Sequence, residues 1–241
     1  MRLDGKQAGQ PRGAARPFPT PPRSEAELLL RAEAIAGYAL AELAARGAAT
    51  VPADPRRAKG WTGQLIERIL GASAASRSEP DFPLLGVELK TLPVSADGRP
   101  TESTYVCTVP LLEHHGLTWE QSCVYRKLKR VLWFPVEGAS RLPMGNRRLG
   151  FPLLWSPSTD EEQVLCRDWE ELMEMVVLGQ VESLTAHQGS YLQVRPKAAN
   201  ARARRLGIDH SGAQIPTLPR GFYLRTCFTE AILRRHFVLP K

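Results

Sequence analysis

The pattern of apolar residues in the first third of the chain predicts three short helices. Ser24 and Glu27 form a capping-box signature, and apolar residues follow at helical spacing until Gly37, so a first helix is predicted there. A second helix is predicted from Tyr38 to Arg46, and a third after Trp61. The apolar positions are Leu28, Leu29, Ala32 and Ile35 in the first helix, and Leu65, Ile66, Ile69 and Leu70 in the third.

Strand patterns dominate the rest of the chain, with helical patterns between them. The predicted strands are Val87 to Thr91, Thr104 to Val109, Val131 to Val136, Leu149 to Trp155, Tyr191 to Arg195 and Phe222 to Arg225. Helices are predicted near Trp119 to Lys129 and from Asp160 to Leu178, and Thr229 is predicted to cap a last helix. This mixture predicts an α/β protein with a central mixed sheet flanked by helices, in two lobes around a cleft.

The predicted helix from Asp160 to Leu178 is strongly amphipathic. Its apolar stripe contains Val164, Leu165, Trp169, Leu172, Met173 and Val176. Its other face is predicted to carry Glu161, Glu162, Asp168, Glu170, Glu171 and Glu174. Such a face is either solvated or a docking surface, and the pattern leaves both interpretations open.

The first 23 residues differ in composition from the rest of the chain. They contain several Gly and Arg residues and the prolines Pro11, Pro17, Pro19, Pro21 and Pro22. Such a segment buries too little apolar surface to fold, so residues 1–23 are predicted to be a disordered tail. No linker interrupts the remainder, and residues 24–241 are predicted to form a single domain.

The bulk composition narrows the class of protein. The net charge of +7 in 241 residues suits a polyanionic partner without proving one. The cysteines, Cys107, Cys123, Cys166 and Cys227, are too widely spaced for a zinc motif, and reduced thiols in a cytoplasmic protein are the simplest interpretation. The sequence has neither an apolar run that could span a membrane nor the apolar core of a secretory signal.

The most informative segment is DFPLLGVELK, from Asp81 to Lys90. On a strand, Glu88 and Lys90 point to the same face, while Leu89 points into the core. A turn near Leu84 would place Asp81 across from Glu88, since cross-strand neighbours lie roughly 5 Å apart. Asp81 and Glu88 could then bridge one Mg²⁺, beside the amine of Lys90. The pattern by itself is a weak signal, and a surface hairpin with a solvated Glu88–Lys90 pair is the more common origin of such a string.

Longer blocks on both sides of this motif resemble the MutH family of DNA mismatch-repair nicking endonucleases. The similar blocks are KGWTGQLIERILGAS (59–73), PDFPLLGVELKTLPV (80–94), KLKRVLWFPVEG (127–138), DWEELMEMVVLGQVE (168–182), YLQVRPKAANA (191–201) and LPRGFYLR (218–225). They occur in the order found in the family, and the resemblance covers about residues 24 to 238.

This resemblance implies a restriction-endonuclease-like fold and a specific activity. We expect a cytoplasmic monomer that uses Mg²⁺ to nick the unmethylated strand of double-stranded DNA at hemimethylated GATC sites. Control by the mismatch-repair protein MutL, with MutS upstream, is implied as well. A related GATC restriction endonuclease of the Sau3AI type, which cuts both strands, is the alternative. A non-catalytic DNA-binding repair adaptor is disfavoured, because Asp81, Glu88 and Lys90 are all present.

The resemblance also assigns roles to particular residues of the predicted active site. Asp81 and Glu88 are predicted Mg²⁺ ligands, and Lys90 is predicted either to orient or deprotonate the attacking water or to stabilise the developing charge. Glu67 is either a further metal ligand or a solvated helix residue. Lys127 either contacts the scissile phosphate or belongs to a general phosphate-binding patch.

The DNA contacts are predicted to divide into phosphate contacts and base contacts. Lys59 and Lys129 are predicted to bind phosphates. Arg195, Lys197 and Tyr223 are predicted to lie near the bases, where Tyr223 could sense the methyl group on adenine N6 in the major groove. A core position on the last strand is the alternative for Tyr223.

Overall fold

The computed structural model describes residues 19–54, 60–74, 78–112, 114, 116–139, 141–197 and 202–238. Its helices are α1 (Glu25–Glu33), α2 (Leu40–Arg46), α3 (Trp61–Leu70), α4 (Cys123–Leu128), α5 (Thr159–Val177) and α6 (Thr226–His236). Its strands are β1 (Glu88–Val94), β2 (Thr104–Thr108), β3 (Val131–Glu137), β4 (Leu153–Trp155), β5 (Leu192–Pro196), β6 (Arg205–Ile208), β7 (Gln214–Thr217) and β8 (Arg220–Leu224).

The strands form a mixed sheet and separate antiparallel sheets. In the mixed sheet, β3 lies between a parallel β1 and an antiparallel β4. A second sheet has the order β2-β8-β5 and is antiparallel throughout, and β6 pairs with β7. The predicted mixed sheet with flanking helices is therefore present, but the β-structure is divided among sheets instead of being collected in one.

The alternation of side chains along β3 separates two hydrophobic cores. Leu132 and Phe134 belong to the core that includes helices α1, α2 and α3. Val131 and Trp133 belong to the other core, which includes α5, α6 and the second sheet. On β1, Leu92 faces this second core. Because side chains repeat every two residues, Glu88 and Lys90 lie on the same face of β1 as Leu92.

The N-terminal helices largely follow the predicted boundaries. Ser24 caps α1, since its hydroxyl accepts a hydrogen bond from the Glu27 amide at 3.1 Å. The capping box is only half formed, because the Glu27 carboxylate accepts from the Arg23 amide at 2.8 Å. Helix α3 ends at Gly71, whose φ of 83° lies in the left-handed region that glycine adopts readily.

The structure corrects the prediction for the last helix. Thr229 does not cap α6 but lies inside it, where its hydroxyl donates to the Thr226 carbonyl at 3.2 Å. The helix begins three residues earlier, after Arg225. A threonine hydroxyl can bond to the preceding turn as well as cap a helix, so its position in the sequence did not distinguish the two.

Two strand predictions also need correction. Only Leu153–Trp155 of the segment predicted from Leu149 to Trp155 is a strand, while Leu149 makes an isolated bridge to Val136. The hairpin of β6 and β7 was not predicted, because its strands are short and mostly exposed and lack a clear alternating pattern.

The acidic face predicted for α5 is smaller than expected, because Asp168 and Glu161 are buried. Asp168 accepts hydrogen bonds from the amides of Ser190, Tyr191 and Leu192 at 2.8, 2.6 and 2.8 Å. It therefore fixes the start of β5 on the helix. Glu161 completes a capping box with Ser158. No helix in the part of the chain that the structure describes is long and apolar enough to cross a membrane.

The predicted N-terminal tail lies mostly outside the described residues, which begin at residue 19. The carbonyl oxygen of Thr20 accepts a hydrogen bond from the Arg31 guanidinium at 2.7 Å. The end of the predicted tail, from residue 19, therefore contacts the folded domain. The start of the domain was predicted at Ser24 from the capping signature of α1, and that signature contains no information about backbone contacts earlier in the chain.

We predict that Asp168→Ala destabilises the protein strongly. Removing the carboxylate leaves the amides of Ser190, Tyr191 and Leu192 without their acceptor, which should cost about 3 kcal/mol or more. Glu171→Ala on the exposed side of α5 is the control and should change the free energy of unfolding by less than about 0.5 kcal/mol. Urea denaturation of both variants measures this, and equal stabilities would contradict the role of Asp168.

Candidate active site

A short hairpin places Asp81 beside β1. Phe82 and Val87 form an antiparallel bridge, and the turn between them includes Gly86 with a φ of 67°. The structure therefore contains the turn predicted near Leu84. The Asp81 carboxylate accepts a hydrogen bond from the Leu89 amide at 2.8 Å, which holds it next to the strand that carries Glu88.

The Glu88 carboxylate is buried and shared by two lysines. Lys127 on α4 contacts its oxygens at 3.0 and 2.8 Å and also donates to the Glu79 carbonyl at 3.1 Å. Lys90 contacts the same carboxylate at 2.5 Å. Because Lys127 is itself only 6 % exposed, this arrangement is a desolvated cluster of charges and not a general surface patch.

Glu67 brings a further carboxyl to this cluster from α3. Burial and the negative charges of Asp81 and Glu88 raise the pKa of Glu67 to about 7. Burial and the Glu88 charge also raise the pKa of Asp81, against the opposing effect of the Leu89 amide. The structure thus brings Glu67, Asp81, Glu88, Lys90 and Lys127 together, and Glu67 is half-buried instead of solvated.

Lys90 remains a cation in this arrangement. Burial by itself would lower the pKa of Lys90, but the Glu88 charge and hydrogen bond, together with the Asp81 charge, raise it. A metal ion bound to Glu88 would weaken the negative charge that raises this pKa. The roles predicted for Lys90, as a base or as a group that orients water or stabilises charge, therefore all stay predictions.

The carboxyl groups suit a divalent cation by their chemistry. Among the described residues, no group of three Asp, Glu, His or Cys side chains is gathered closely enough to enclose a metal ion. Instead, lysines contact Glu88 and an amide contacts Asp81. Burial, and after it the charges of neighbouring carboxylates, raise the pKa values of Glu67 and Asp81, and a hard cation with oxygen ligands would offset both effects.

A groove of about 570 Å³ joins this cluster to the residues predicted to read DNA. It is lined by Gly60, Gly63, Glu67, Leu89, Lys90, Thr91, Pro93, Glu102, Ser103, Thr104, Tyr105, Arg195, Pro196, Lys197 and Tyr223. The mixed sheet contributes Lys90, and the second sheet contributes Arg195 and Tyr223. Residues far apart in sequence thus face one cavity.

Cations and aromatic rings meet at the far side of the groove. The rings of Tyr105 and Tyr223 lie edge to face with centroids 5.3 Å apart. The Lys197 ammonium lies 4.0 Å from the Tyr105 ring centre, and the Arg195 guanidinium lies 6.0 Å from that of Tyr223. Tyr223 is half-buried and faces the groove, so the core position considered for it is wrong.

Sequence reasoning missed Tyr105, although a signal for it existed. Tyr105 alternates with the buried residues Thr104 and Val106 on β2, which places it on the opposite face of that strand. Its partner Tyr223 lies directly across the antiparallel pair of β2 and β8. The two tyrosines come together only through this pairing of β2 with β8, which could not be predicted from the sequence.

Gly221 leaves the space in which this aromatic cluster packs. A Cβ atom at Gly221 would lie 2.9 Å from Cε2 of Tyr105 and 3.2 Å from both Cβ of Lys197 and Cε2 of Tyr223. A side chain there would push apart three groups that line the groove. Gly221 therefore allows Tyr105, Lys197 and Tyr223 to pack closely.

Of the two lysines predicted to bind phosphates, Lys59 and Lys129, the structure describes only Lys129. Lys59 lies outside the described residues. Lys129 is exposed directly after α4 and approaches the hairpin of Phe82 and Val87, since its Cε lies 3.8 Å from the position that a Cβ on Gly86 would occupy. The neighbouring Arg130 is engaged by Glu25 at 2.5 Å. Lys129 is thus placed near the site but outside the groove lining.

Comparisons with known proteins show to which family the chain is similar. Residues 70–168 match the family described as DNA mismatch repair enzyme MutH. The chain is 58% identical over 223 residues to the DNA mismatch repair protein MutH of Salmonella paratyphi A, and the aligned region covers 92% of this chain and 96% of the relative. It is 55% identical over 221 residues to the protein of the same name from Yersinia enterocolitica, covering 92% and 97% of the two chains.

The raised pKa of Glu67 predicts a pH-dependent stability in EDTA. Because the folded-state value of about 7 exceeds the ordinary value of 4.5, the folded protein binds this proton more tightly than the unfolded chain. The free energy of unfolding should therefore decrease as the pH rises from about 4.5 to about 7.

Glu67→Gln removes this ionisation, so its free energy of unfolding should not share the decrease expected of the wild type. Its stability relative to the wild type should therefore be greater above pH 7 than at pH 4.5. Urea denaturation across this range measures the effect, with the exposed Glu33→Gln as control. A difference between wild type and Glu67→Gln that does not change with pH would show that Glu67 is not part of the carboxyl cluster.

Proposed function

This chain belongs to the MutH family of DNA mismatch-repair enzymes, and on that premise we propose that it is an endonuclease that nicks the unmethylated strand at hemimethylated GATC sites. The observation that carries the proposal is the groove itself. The charge cluster around Glu88 and the cluster of Arg195, Lys197 and Tyr223 line or adjoin one cavity. Cleavage chemistry and sequence reading can therefore act on the same duplex.

The carboxylates of Asp81 and Glu88, with Glu67 beside them, would hold Mg²⁺. Bound there, the ion supplies an activated water and neutralises charge on the phosphate. Lys90 and Lys127 are cations whose ammonium groups already contact Glu88. When the Glu88 charge is shared with a metal, these ammonium groups are available to a scissile phosphate, where they stabilise the negative charge that develops during cleavage.

The second side of the groove would read the target sequence. Arg195 and Lys197 are suited to guanine O6 and N7 in the major groove. A methyl group on adenine N6 also lies in the major groove, where the ring of Tyr223 can pack against it. Lys129, and Lys59 by its resemblance to the family, would contact phosphates and position the duplex without reading its sequence.

Several broader features follow from the same proposal. The fold would be the restriction-endonuclease-like fold, with two lobes around the groove. The part of the chain that the structure describes contains one cluster of proposed catalytic residues, which suits a monomer that makes a single nick. We also propose that the protein works in the cytoplasm under the control of MutL, with MutS acting upstream.

We propose that MutL binds either the acidic face of α5 or the C-terminal segment from Thr229 to Lys241. On α5, the acidic residues Asp160, Glu170, Glu171 and Glu174 are exposed, and Glu162 is half-exposed. At the C-terminus, Phe237 packs against the core, whereas Val238 is fully exposed. A deletion that tests the C-terminal segment should therefore begin at Val238, because removing Phe237 would also disturb the core.

The activity is tested with GATC duplexes that are unmethylated, hemimethylated or fully methylated, in Mg²⁺ and with ATP and MutL. We expect nicks in unmethylated strands only, and no cleavage in EDTA. Asp81→Ala should lose nicking while binding DNA, since Asp81 itself is not among the residues that line the groove. Glu79→Ala, an exposed neighbour, is the matched control. Coordinated cutting of both strands would favour a restriction enzyme, and nicking by Asp81→Ala would overturn the site.

Three variants are predicted to separate the contribution of base reading to DNA affinity from that of phosphate binding. Lys197→Ala, and Gly221→Ala by displacing its neighbours, should weaken binding to GATC relative to random DNA by roughly 1–3 kcal/mol. Lys129→Ala should weaken both DNAs equally and reduce the salt slope by about one. Fluorescence anisotropy at several salt concentrations measures both effects. Equal losses on both DNAs for Lys197→Ala would remove its base-reading role.

A further inference from the structure

Two thiols lie side by side next to the charge cluster. Cys107 is on β2 and Cys123 is the first residue of α4, two elements that pack against each other. The two thiols are close enough to shift each other's pKa, which is raised for Cys107 and lowered for Cys123. Both belong to or pack against the same hydrophobic core. The other cysteines, Cys166 and Cys227, lie on α5 and α6.

The pair is asymmetric in its access to solvent. Cys107 is buried, whereas Cys123 is only partly buried. A small oxidant can therefore reach Cys123 more readily than Cys107, which is buried on the strand against which α4 packs. A reachable thiol next to a second, protected thiol is the arrangement in which oxidation of the first leads to a disulfide.

The surroundings of the pair favour reaction at Cys123. The neighbouring Cys107 thiol and the positive charges of Lys127 and Arg126 lower the pKa of Cys123 to about 7, against the effect of burial. The neighbouring Cys123 thiol and burial raise the pKa of Cys107. Burial and Glu170 instead raise the pKa of Cys166 to about 11. Since the thiolate is the reactive form, Cys123 is the thiol most disposed to oxidation of these three.

We propose that Cys123 and Cys107 form an oxidation site for hydrogen peroxide. The Cys123 thiolate attacks one peroxide oxygen and the O–O bond breaks, which gives a sulfenic acid at Cys123 and a hydroxide that takes up a proton to become water. The Cys107 sulfur then attacks the Cys123 sulfur and displaces water, which forms the disulfide. The two thiols lose two electrons and two protons, and one peroxide is reduced to two waters.

The position of the pair connects this modification to the proposed nuclease activity, on which the following consequence rests. Lys127 lies one helical turn after Cys123 on α4. Cys107 lies close enough to Lys90 to raise the pKa of that lysine. A bond between the two sulfurs joins α4 to β2 and shifts the two ammonium groups that contact Glu88. Oxidation therefore lowers nicking.

The chemical part is tested on the full-length protein with hydrogen peroxide. After alkylation of free thiols, peptide mass spectrometry should show a Cys107–Cys123 disulfide that dithiothreitol reverses. Cys227→Ser, the exposed control, should form the same disulfide, and Cys123→Ser should form none. Overoxidation of Cys123 without the disulfide, or equal oxidation of all cysteines, would overturn the site. The wild-type measurement decides this even if a variant does not fold.

The functional part compares nicking before and after oxidation. A displacement of the lysines of about 1 Å should lower the rate by about tenfold or more, and dithiothreitol should restore it. Cys123→Ser should keep its activity in peroxide. A disulfide that forms without changing the rate would overturn the link to the active site. If the reduced protein does not nick DNA at all, the proposed function fails while the disulfide mapping still stands.

Discussion

The shared contact of Lys90 and Lys127 with the buried Glu88 carboxylate is the interaction on which the site depends. Taking these charges out of water is costly unless they are paired, so the surrounding elements must hold them in register. Lys127 joins α4 to β1 and also to the Glu79 carbonyl before the catalytic hairpin. The same contact thus fixes the hairpin, the strand and the helix around one carboxylate.

The two-sided packing of β3 explains why this cluster faces a groove. Leu132 and Phe134 bury one face of the mixed sheet under the N-terminal helices, and Val131 and Trp133 bury the other against the second sheet. Glu88 and Lys90 lie on the face toward the second sheet. The groove therefore forms where β1 approaches the strands that carry Arg195, Tyr105 and Tyr223.

The sequence predicted local features well, because local physics determines them. The turn that returns Asp81 to β1, the Ser24 cap and the apolar stripe of α5 all depend on residues close together in the chain. Features that depend on tertiary contacts were missed. Asp168 looks like a solvated helix residue until its contact with the amides before β5 is known. Tyr105 becomes part of the groove only through the register of β2 with β8.

We propose that the carboxylates of Asp81 and Glu88 hold a divalent metal ion, which would compete with Lys90 and Lys127 for Glu88. A crystal structure with Mn²⁺, measured at the manganese absorption edge, tests this most directly. The account predicts an anomalous peak bonded to Asp81 and Glu88, with at least one of Lys90 and Lys127 moved away from the Glu88 oxygens. A structure in which both lysines keep their contacts with Glu88, and manganese binds elsewhere, would contradict it.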